Sequence, residues 1–112
     1  IGSGKKDSMI LCTENNGAIP GLLDSDIIEV TCDITPEACT PHRFTDFDEE
    51  ALELIRRVKL YERKAAKAIL TKDKNMAIDA LALHPLVNSY SLAEKLAALY
   101  IRHNEAYSPD WR

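Results

Sequence analysis

The turn Glu14-Asn15-Asn16-Gly17 carries the polar side chains of this sequence that are best placed for ligand binding. It comes directly after residues 8–13, an apolar run typical of a buried strand, and loops at strand ends are where α/β enzymes tend to meet ligands. An asparagine amide both donates and accepts hydrogen bonds, so Asn15 or Asn16 is a candidate contact for a sugar hydroxyl. The alternative is that the turn needs Asn-Gly only for its backbone, because both residue types tolerate positive φ.

A second cluster, Cys39-x-x-His42 with Cys32 nearby, has the residue types of a metal site. Zinc sites usually hold four ligands with tighter pairing, and no fourth ligand is evident in the neighbouring sequence. We therefore predict small packed thiols and a surface histidine here, and no metal site. An odd number of cysteines without a CxxC pair also favours reduced thiols over a disulfide scaffold.

Three further groups of ionisable side chains are better explained by structure than by catalysis. The carboxylates within residues 46–50 lie at a predicted helix N-terminus, where acidic residues interact well with the helix dipole. His84 precedes a proline at a helix end, where it can cap carbonyls, and a solvated helical face explains Arg56, Arg57 and Lys59. The sequence has no glycine-rich phosphate loop, nucleophile elbow or two-histidine helix, so we predict no catalytic, cofactor-binding or metal-binding residue in it.

The elements that would position these residues change in type near residue 46. Residues 8–13 and 27–34 predict short strands, the second half-buried because its later part alternates apolar and polar residues. A loop with two prolines follows at 35–45. The sequence therefore predicts an α+β fold: a single domain over residues 1–112, with a strand and turn region at 8–45 and a helical region at 46–107.

Apolar residues recur at helical spacing from Asp46 onward and predict helices near 47–71, 75–83 and 91–104. Two predicted capping boxes, Asp46 with Glu49 and Ser91 with Glu94, begin the first and third helices. We expect the third helix to bury its larger apolar side chains: Leu92, Leu96, Leu99 and Tyr100.

The first and third helices are apolar on more than one face. Leu54, Leu60 and Ala66 fall outside the stripe that contains Leu52, Ile55 and Ile69, and the third helix adds Ala98 and Ile101. A chain of 112 residues has too little interior to bury several helix faces. We therefore expect association into a homo-oligomer, most simply a two-fold dimer.

Charge and hydropathy exclude several classes of partner. The chain has 14 basic and 18 acidic residues, a net charge of -4, and shows no basic stripe of the kind that binds nucleic acid. No apolar run approaches the ~20 residues that cross a bilayer. The first residues lack the hydrophobic stretch of a signal peptide, so we expect a cytoplasmic protein that binds neither nucleic acid nor membrane.

Three stretches in order resemble family 4 glycoside hydrolases. The first is Asn15-x-Gly17-Ala18-Ile19 followed by Ile28-Glu29-Val30. The second is the helical segment that starts at Lys59-x-Tyr61-Glu62-Arg63. The third is Ala77-Ile-Asp-Ala-Leu-x-Leu-His-Pro-Leu-Val87, which continues to Ala93 and is most similar to the 6-phospho-β-glucosidase branch. Each motif alone is weak, but the ordered set covers about residues 8–107 and is fairly specific.

The resemblance implies the C-terminal region of an enzyme that uses NAD and Mn²⁺ to hydrolyse 6-phospho-glucosides. In that family NAD oxidises the sugar at C3, a metal polarises the oxygens, and a base removes the C2 proton before the aglycone leaves. The family's dinucleotide domain, metal ligands and tyrosine base lie upstream of the matching segment. Cys39, His42 and Tyr61 do not match those motifs, so no catalytic role is transferred and the isolated chain is expected to be inactive. The matching part would supply a pocket wall and subunit contacts.

Two other functions remain open from the residues. One is a stand-alone helical protein-interaction module with a small sheet. The other is the C-terminal half of another NAD-dependent enzyme of the lactate/malate dehydrogenase type, although its histidine and substrate arginines cannot be placed in this sequence.

Overall fold

A computed structural model describes residues 7–112, which form two compact units that divide between Asp48 and Glu49. The predicted α+β class is confirmed, because three strands are followed by three helices. All three strands belong to the first unit and all three helices to the second. None of the helices in the described residues is both long and apolar enough to cross a membrane.

The first unit contains an antiparallel sheet in the order β1-β2-β3. Strand β1 spans Asp7–Glu14, β2 spans Ile27–Ile34 and β3 spans Cys39–Pro41. β1 and β2 pair along their whole length, whereas β3 covers only the last three residues of β2.

Strand β3 lies inside the segment 35–45, which the sequence predicted to be a loop. Thr35 makes the hairpin between β2 and β3 possible. Its Oγ1 accepts hydrogen bonds from the backbone N–H groups of Glu37 (3.3 Å) and Ala38 (3.1 Å), and its own N–H donates to the Ala38 carbonyl (2.8 Å). A side-chain-braced turn of this kind returns the chain onto β2 without a glycine.

The alternation predicted for β2 is confirmed, since Ile28, Val30 and Cys32 are buried while Ile27 and Glu29 are exposed. The burial predicted for β1 is wrong: Ile10 is 65% exposed. β1 is an edge strand of this sheet, and Ile10 lies on the same exposed face as Ile27. An apolar run of this length identifies a strand but does not determine what covers it.

The second unit contains helices α1, Glu49–Thr71, α2, Lys74–Leu83, and α3, Tyr90–His103. These bounds lie within two residues of the predicted ones. The predicted caps are wrong at two positions. α1 begins three residues after Asp46, and the N-cap of α3 is Ser89, whose side chain accepts from the Leu92 N–H, rather than Ser91.

The most buried residues of the helical unit are alanines and not leucines. α2 packs against both α1 and α3, and the alanines at these contacts are at most 2% exposed: Ala68, Ala80, Ala93 and Ala97. Leu92, Leu99 and Tyr100, which were expected to be buried, are exposed instead. Helices that meet through small residues approach closely, so the bulkier face of α3 is left outside the contact.

The chain end returns to the connection between α1 and α2. The Lys74 N–H donates to the Arg112 carbonyl (2.8 Å), and the Arg112 N–H donates to the Lys72 carbonyl (2.9 Å). The Lys72 ammonium hydrogen-bonds the Ser108 hydroxyl and lies 5.7 Å from the centre of the Trp111 ring. These contacts fix residues 108–112 beside the start of α2.

Candidate functional site

The Asn15 side chain is fully buried and braces the turn that follows β1. Its Oδ1 accepts a hydrogen bond from the Ile19 N–H (2.7 Å), and its Nδ2 donates to the Ile19 carbonyl (3.1 Å). The backbone of Asn15 is also paired, because its N–H donates to the Asp26 carbonyl (2.8 Å) and its carbonyl accepts from the Ala18 N–H (2.7 Å). The amide therefore holds residues 15–19 in one conformation.

Asn16 and Gly17 occupy the exposed corner of this turn. Their φ angles are 43° and 78°, in the left-handed region that asparagine and glycine adopt with least strain. The Asn16 N–H donates to the Asp24 carbonyl (3.1 Å), so the corner is tied to the loop before β2. The turn therefore has the left-handed backbone that favours Asn-Gly, as the alternative interpretation of this motif expected. The Asn16 amide is exposed at the same corner.

Arg43 lies over this corner, a placement that the sequence did not indicate. A Cβ built on Gly17 would stand 3.7 Å from Arg43 Nη1 and 4.0 Å from Nη2. Two backbone hydrogen bonds bring the segment there: the His42 N–H donates to the Thr31 carbonyl (2.9 Å), and the Phe44 N–H donates to the Ala18 carbonyl (2.8 Å). A guanidinium and an asparagine amide consequently border one exposed surface, which we name the turn surface and define as residues 14–19 and 42–44.

The buried Asp26 side chain supports the other end of the same loop. Its Oδ2 accepts from the Leu23 N–H (3.0 Å), and its backbone N–H donates to the Leu23 carbonyl (3.1 Å). Asp26 is 5% exposed, and its carbonyl is the partner of Asn15. The loop that faces Asn16 is therefore fixed by hydrogen bonds and not by apolar packing alone.

The three residues that resembled a metal site do not converge, because His42 lies on the opposite face of the sheet from Cys32 and Cys39. His42 Nε2 lies 3.0 Å from Asp33 Oδ1, and Asp33 alternates with Cys32 along β2, so the two side chains point to opposite faces of the sheet. Within residues 7–112 no group of three histidine, cysteine or carboxylate side chains could hold a metal ion.

Ionisable residues of the helical unit have structural partners. The His84 ring packs edge-on against Tyr61, with ring centres 4.6 Å apart, and its Nδ1 accepts from the Leu86 N–H (3.2 Å). Lys59 pairs with Glu62 at 2.6 Å. The assignment of Arg57 to a solvated face is wrong: it is half-buried, and its Nε donates to the Leu83 carbonyl (2.8 Å).

The helical unit also contains a groove of about 350 Å³, which the sequence did not predict. It is lined by alanines from all three helices and by four aromatic residues: Tyr61, Tyr100, Tyr107 and Trp111. The spacing of alanines along the helices was the only signal of this groove in the sequence. Alanines are equally common where two helices pack together, so their spacing did not distinguish a groove from a helix–helix contact.

Comparisons with known proteins agree on one family. The family model of the glycosyl hydrolase family 4 C-terminal domain matches residues 1–87. A probable 6-phospho-beta-glucosidase of Bacillus subtilis is 32% identical over 111 residues, which are 99% of this chain and 25% of that protein. A 6-phospho-beta-glucosidase of Escherichia coli is 35% identical over 98 residues, 87% of this chain and 22% of that protein. The chain thus spans about a quarter of the length of the curated relatives it matches.

Solved structures show the same fold. The 6-phospho-beta glucosidase of Thermotoga maritima, solved with manganese, NAD⁺ and glucose-6-phosphate, has a TM-score of 0.82 at 31% identity over 93% of this chain and 26% of that chain. A 6-phospho-alpha-glucosidase from gut microorganisms, in complex with NAD and Mn²⁺, has a TM-score of 0.87 over 95% of this chain and 24% of that chain. Its 20% identity supports the shared fold alone.

Proposed function

Because the chain belongs to glycosyl hydrolase family 4, whose C-terminal domain it matches over residues 1–87, we propose that it is part of an enzyme that hydrolyses 6-phospho-glucosides. The observation that carries the proposal is the 32–35% identity to 6-phospho-beta-glucosidases from three bacteria. The activity would belong to the whole enzyme, because this chain spans only about a quarter of the length of its relatives. The enzyme would act in carbohydrate metabolism in the cytoplasm.

We expect the enzyme to use NAD and Mn²⁺ as cofactors, because structures of its relatives contain both. The described residues do not fit either group. Residues 7–112 hold no cluster of metal ligands, and the sequence has no glycine-rich turn for a dinucleotide. We therefore place both cofactors on other parts of the enzyme and expect the chain alone to hydrolyse no 6-phospho-glycoside.

The turn surface is the part of this chain that we propose as a wall of the substrate pocket. The exposed Asn16 amide can donate to and accept from sugar hydroxyls. Asn15 is fully buried with both amide atoms bonded to Ile19, so its role there is to position the turn. Arg43 supplies a guanidinium, whose planar set of donors suits a phosphate.

Arg43 supports this placement because none of the described residues competes for its charge. Within residues 7–112 no carboxylate lies in ion-pair range of its guanidinium. The side chain is exposed, and it is held over Gly17 by the backbone bonds of His42 and Phe44. A cation beside a hydrogen-bonding amide matches a ligand with one phosphate and several hydroxyls.

Kinetics of the complete enzyme test the proposed wall. Arg43→Gln should raise KM for a chromogenic 6-phospho-glucoside about tenfold or more, since a hydrogen bond to a charged group contributes about 1.5–3 kcal/mol. Arg56→Gln, which removes an equal charge from an exposed position of α1, is the matched control and should leave KM unchanged. Equal KM values for the two variants would remove Arg43 from the pocket.

Subunit contact is the second role that we propose, and the exposed face of α3 supports it. Leu92 and Leu99 lie seven residues apart on α3, and Leu99 is 62% exposed. Residues at this spacing share one stripe of a helix, and such a stripe commonly packs against its copy in a two-fold dimer. Sedimentation at micromolar and tens-of-micromolar concentrations should show a dimer that Leu99→Glu dissociates. Ile10→Glu in the sheet is the control, and dissociation by that variant alone would assign the contact elsewhere.

A further inference from the structure

Two of the three thiols lie side by side on one face of the sheet. In the pairing of β2 with β3, Cys32 is opposite Pro41 and Cys39 is opposite Ile34. Opposite residues of an antiparallel pair share a face, and so do residues two apart on a strand. Cys32 and Cys39 are therefore diagonal neighbours on the same face of the sheet.

The two thiols differ in access, which gives each a distinct chemical role. Cys39 is exposed and can meet a reagent from solvent, whereas Cys32 is fully buried, with its Sγ 3.5 Å from the Val30 carbonyl. Burial, together with the neighbouring Cys39, raises the pKa of the Cys32 thiol. Burial thus protects Cys32 from direct attack by a reagent, whereas the neighbouring Cys39 sulfur is accessible.

Cys12 is separated from this pair by the sheet itself. It is opposite Glu29 on β1 and β2, and Glu29 alternates with Val30 and Ile28, which share the face of Cys32. Cys12 is exposed on the other face. It cannot reach Cys32 without separation of the strands, so it serves as an internal control.

We propose that Cys32 and Cys39 form a peroxide-sensitive dithiol that closes to a disulfide. The Cys39 thiolate attacks the terminal oxygen of a hydroperoxide, and the S–O bond of a sulfenic acid forms as the O–O bond breaks. The departing hydroxide or alkoxide takes up the proton that the Cys39 thiol released and leaves as water or an alcohol. The Cys32 sulfur then attacks the Cys39 sulfur. The S–S bond forms as the S–O bond breaks, and the departing hydroxide takes the Cys32 proton as water. Two thiols are oxidised by two electrons and one hydroperoxide is reduced.

The disulfide would tie β2 to β3 directly before His42 and Arg43. Because β3 is held to β2 along only three residue pairs, a covalent link there restrains the segment that carries the guanidinium. The site does not depend on the proposed glycosidase function and can be tested without an activity assay.

Mass spectrometry of the purified protein tests the dithiol. After one equivalent of hydrogen peroxide and alkylation of the remaining thiols, the protein should lose about 2 Da, two hydrogen atoms, and retain one alkylated cysteine. Cleavage after glutamate separates the three cysteines, because Glu14, Glu29 and Glu37 lie between them. The peptide 30–37 should then be linked to the peptide that begins at Ala38, and Cys12 should carry the alkyl group.

Two variants make the outcome decisive. Cys12→Ser should leave the linked peptides unchanged, and Cys39→Ser should abolish them while Cys32 stays reduced. A disulfide that includes Cys12, a covalent dimer through Cys39, or a sulfinic acid at Cys39 with Cys32 still open to alkylation after unfolding would overturn the proposal.

Discussion

The Asn15 side chain hydrogen-bonds both backbone groups of Ile19: its Oδ1 accepts from the Ile19 N–H at 2.7 Å and its Nδ2 donates to the Ile19 carbonyl at 3.1 Å. One buried side chain thereby satisfies two backbone groups that the turn would otherwise leave without partners. The conformation of the exposed corner above it, where Asn16 and Gly17 lie, depends on this amide.

Asn15→Ala should open the turn locally, because it leaves the Ile19 N–H and carbonyl buried without partners. An unsatisfied buried group costs about 1–3 kcal/mol, so hydrogen exchange at the Ile19 amide should become about 10 to 100 times faster. Asn16→Gly, which keeps the left-handed φ, is the control and should change this rate little. Unaltered protection at Ile19 in Asn15→Ala would show that the turn stands without the amide.

Gly17→Ala should cost about 1 kcal/mol of unfolding free energy, because φ is 78° and an L side chain is strained there. Steric contact adds little, since the new Cβ would lie 3.7 Å from Arg43 Nη1, an ordinary contact distance. Gly21→Ala, at φ 79°, is the matched control, and urea midpoints should shift equally for both. A much larger shift at Gly17 would mean that the Arg43 contact, and not backbone conformation, sets the cost.

Arg57→Lys should destabilise the helical unit by about 1.5–3 kcal/mol. The guanidinium joins α1 to the end of α2 through Leu83 and to the next loop through Asn88, and one ammonium cannot reproduce that planar pair of bonds. The loss is measurable as a lower midpoint of helical circular dichroism in urea. Arg56→Lys on the exposed side of α1 should have no effect, and equal effects from the two would contradict the assigned bonds.

Stability should fall with rising pH through the titration of Cys32. Its thiol has a raised pKa in the folded protein, chiefly by burial, whereas the unfolded chain has the ordinary value of about 8.5. Below about pH 8.5 both states are protonated and the contribution is fully present. Above it the unfolded chain releases a proton that the folded protein keeps, so the free energy of unfolding decreases until the folded thiol also ionises.

Urea midpoints under reducing conditions, between about pH 7 and 10, measure this effect. Cys32→Ala should flatten the decline, whereas Cys12→Ala should keep it. Parallel curves for the two variants would contradict the assignment to Cys32.

The sequence predicted the helices well and the sheet less completely, for physical reasons. Helical spacing persists over many residues in α1, and His84 before Pro85 marks the end of α2, so the periodic pattern is hard to mistake. Strand β3 has three residues and no periodicity of its own. β3 forms because the Thr35 side chain braces the hairpin turn between β2 and β3. A pattern of apolar residues does not indicate such a turn.

The turn at residues 14–17 was predictable because its signal is local. Asn15, Asn16 and Gly17 stand in one turn, and ordered motifs around them already indicated the family. The approach of Arg43 to Gly17 was not predicted, because it depends on backbone bonds from His42 to Thr31 and from Phe44 to Ala18. Arg57 was assigned to the wrong environment for the same reason, as its partner Leu83 is 26 residues further along the chain.

Turnover by the complete enzyme is the most direct test of the central claim. The protein encoded by the whole gene should release the chromophore from a 6-phospho-glucoside only with NAD and Mn²⁺ present, and should lose activity when the metal is chelated. The 112-residue chain, given the same cofactors, should release none. Cofactor-independent hydrolysis, turnover by the chain alone, or failure of the complete enzyme on both α- and β-linked 6-phospho-glucosides would contradict the account.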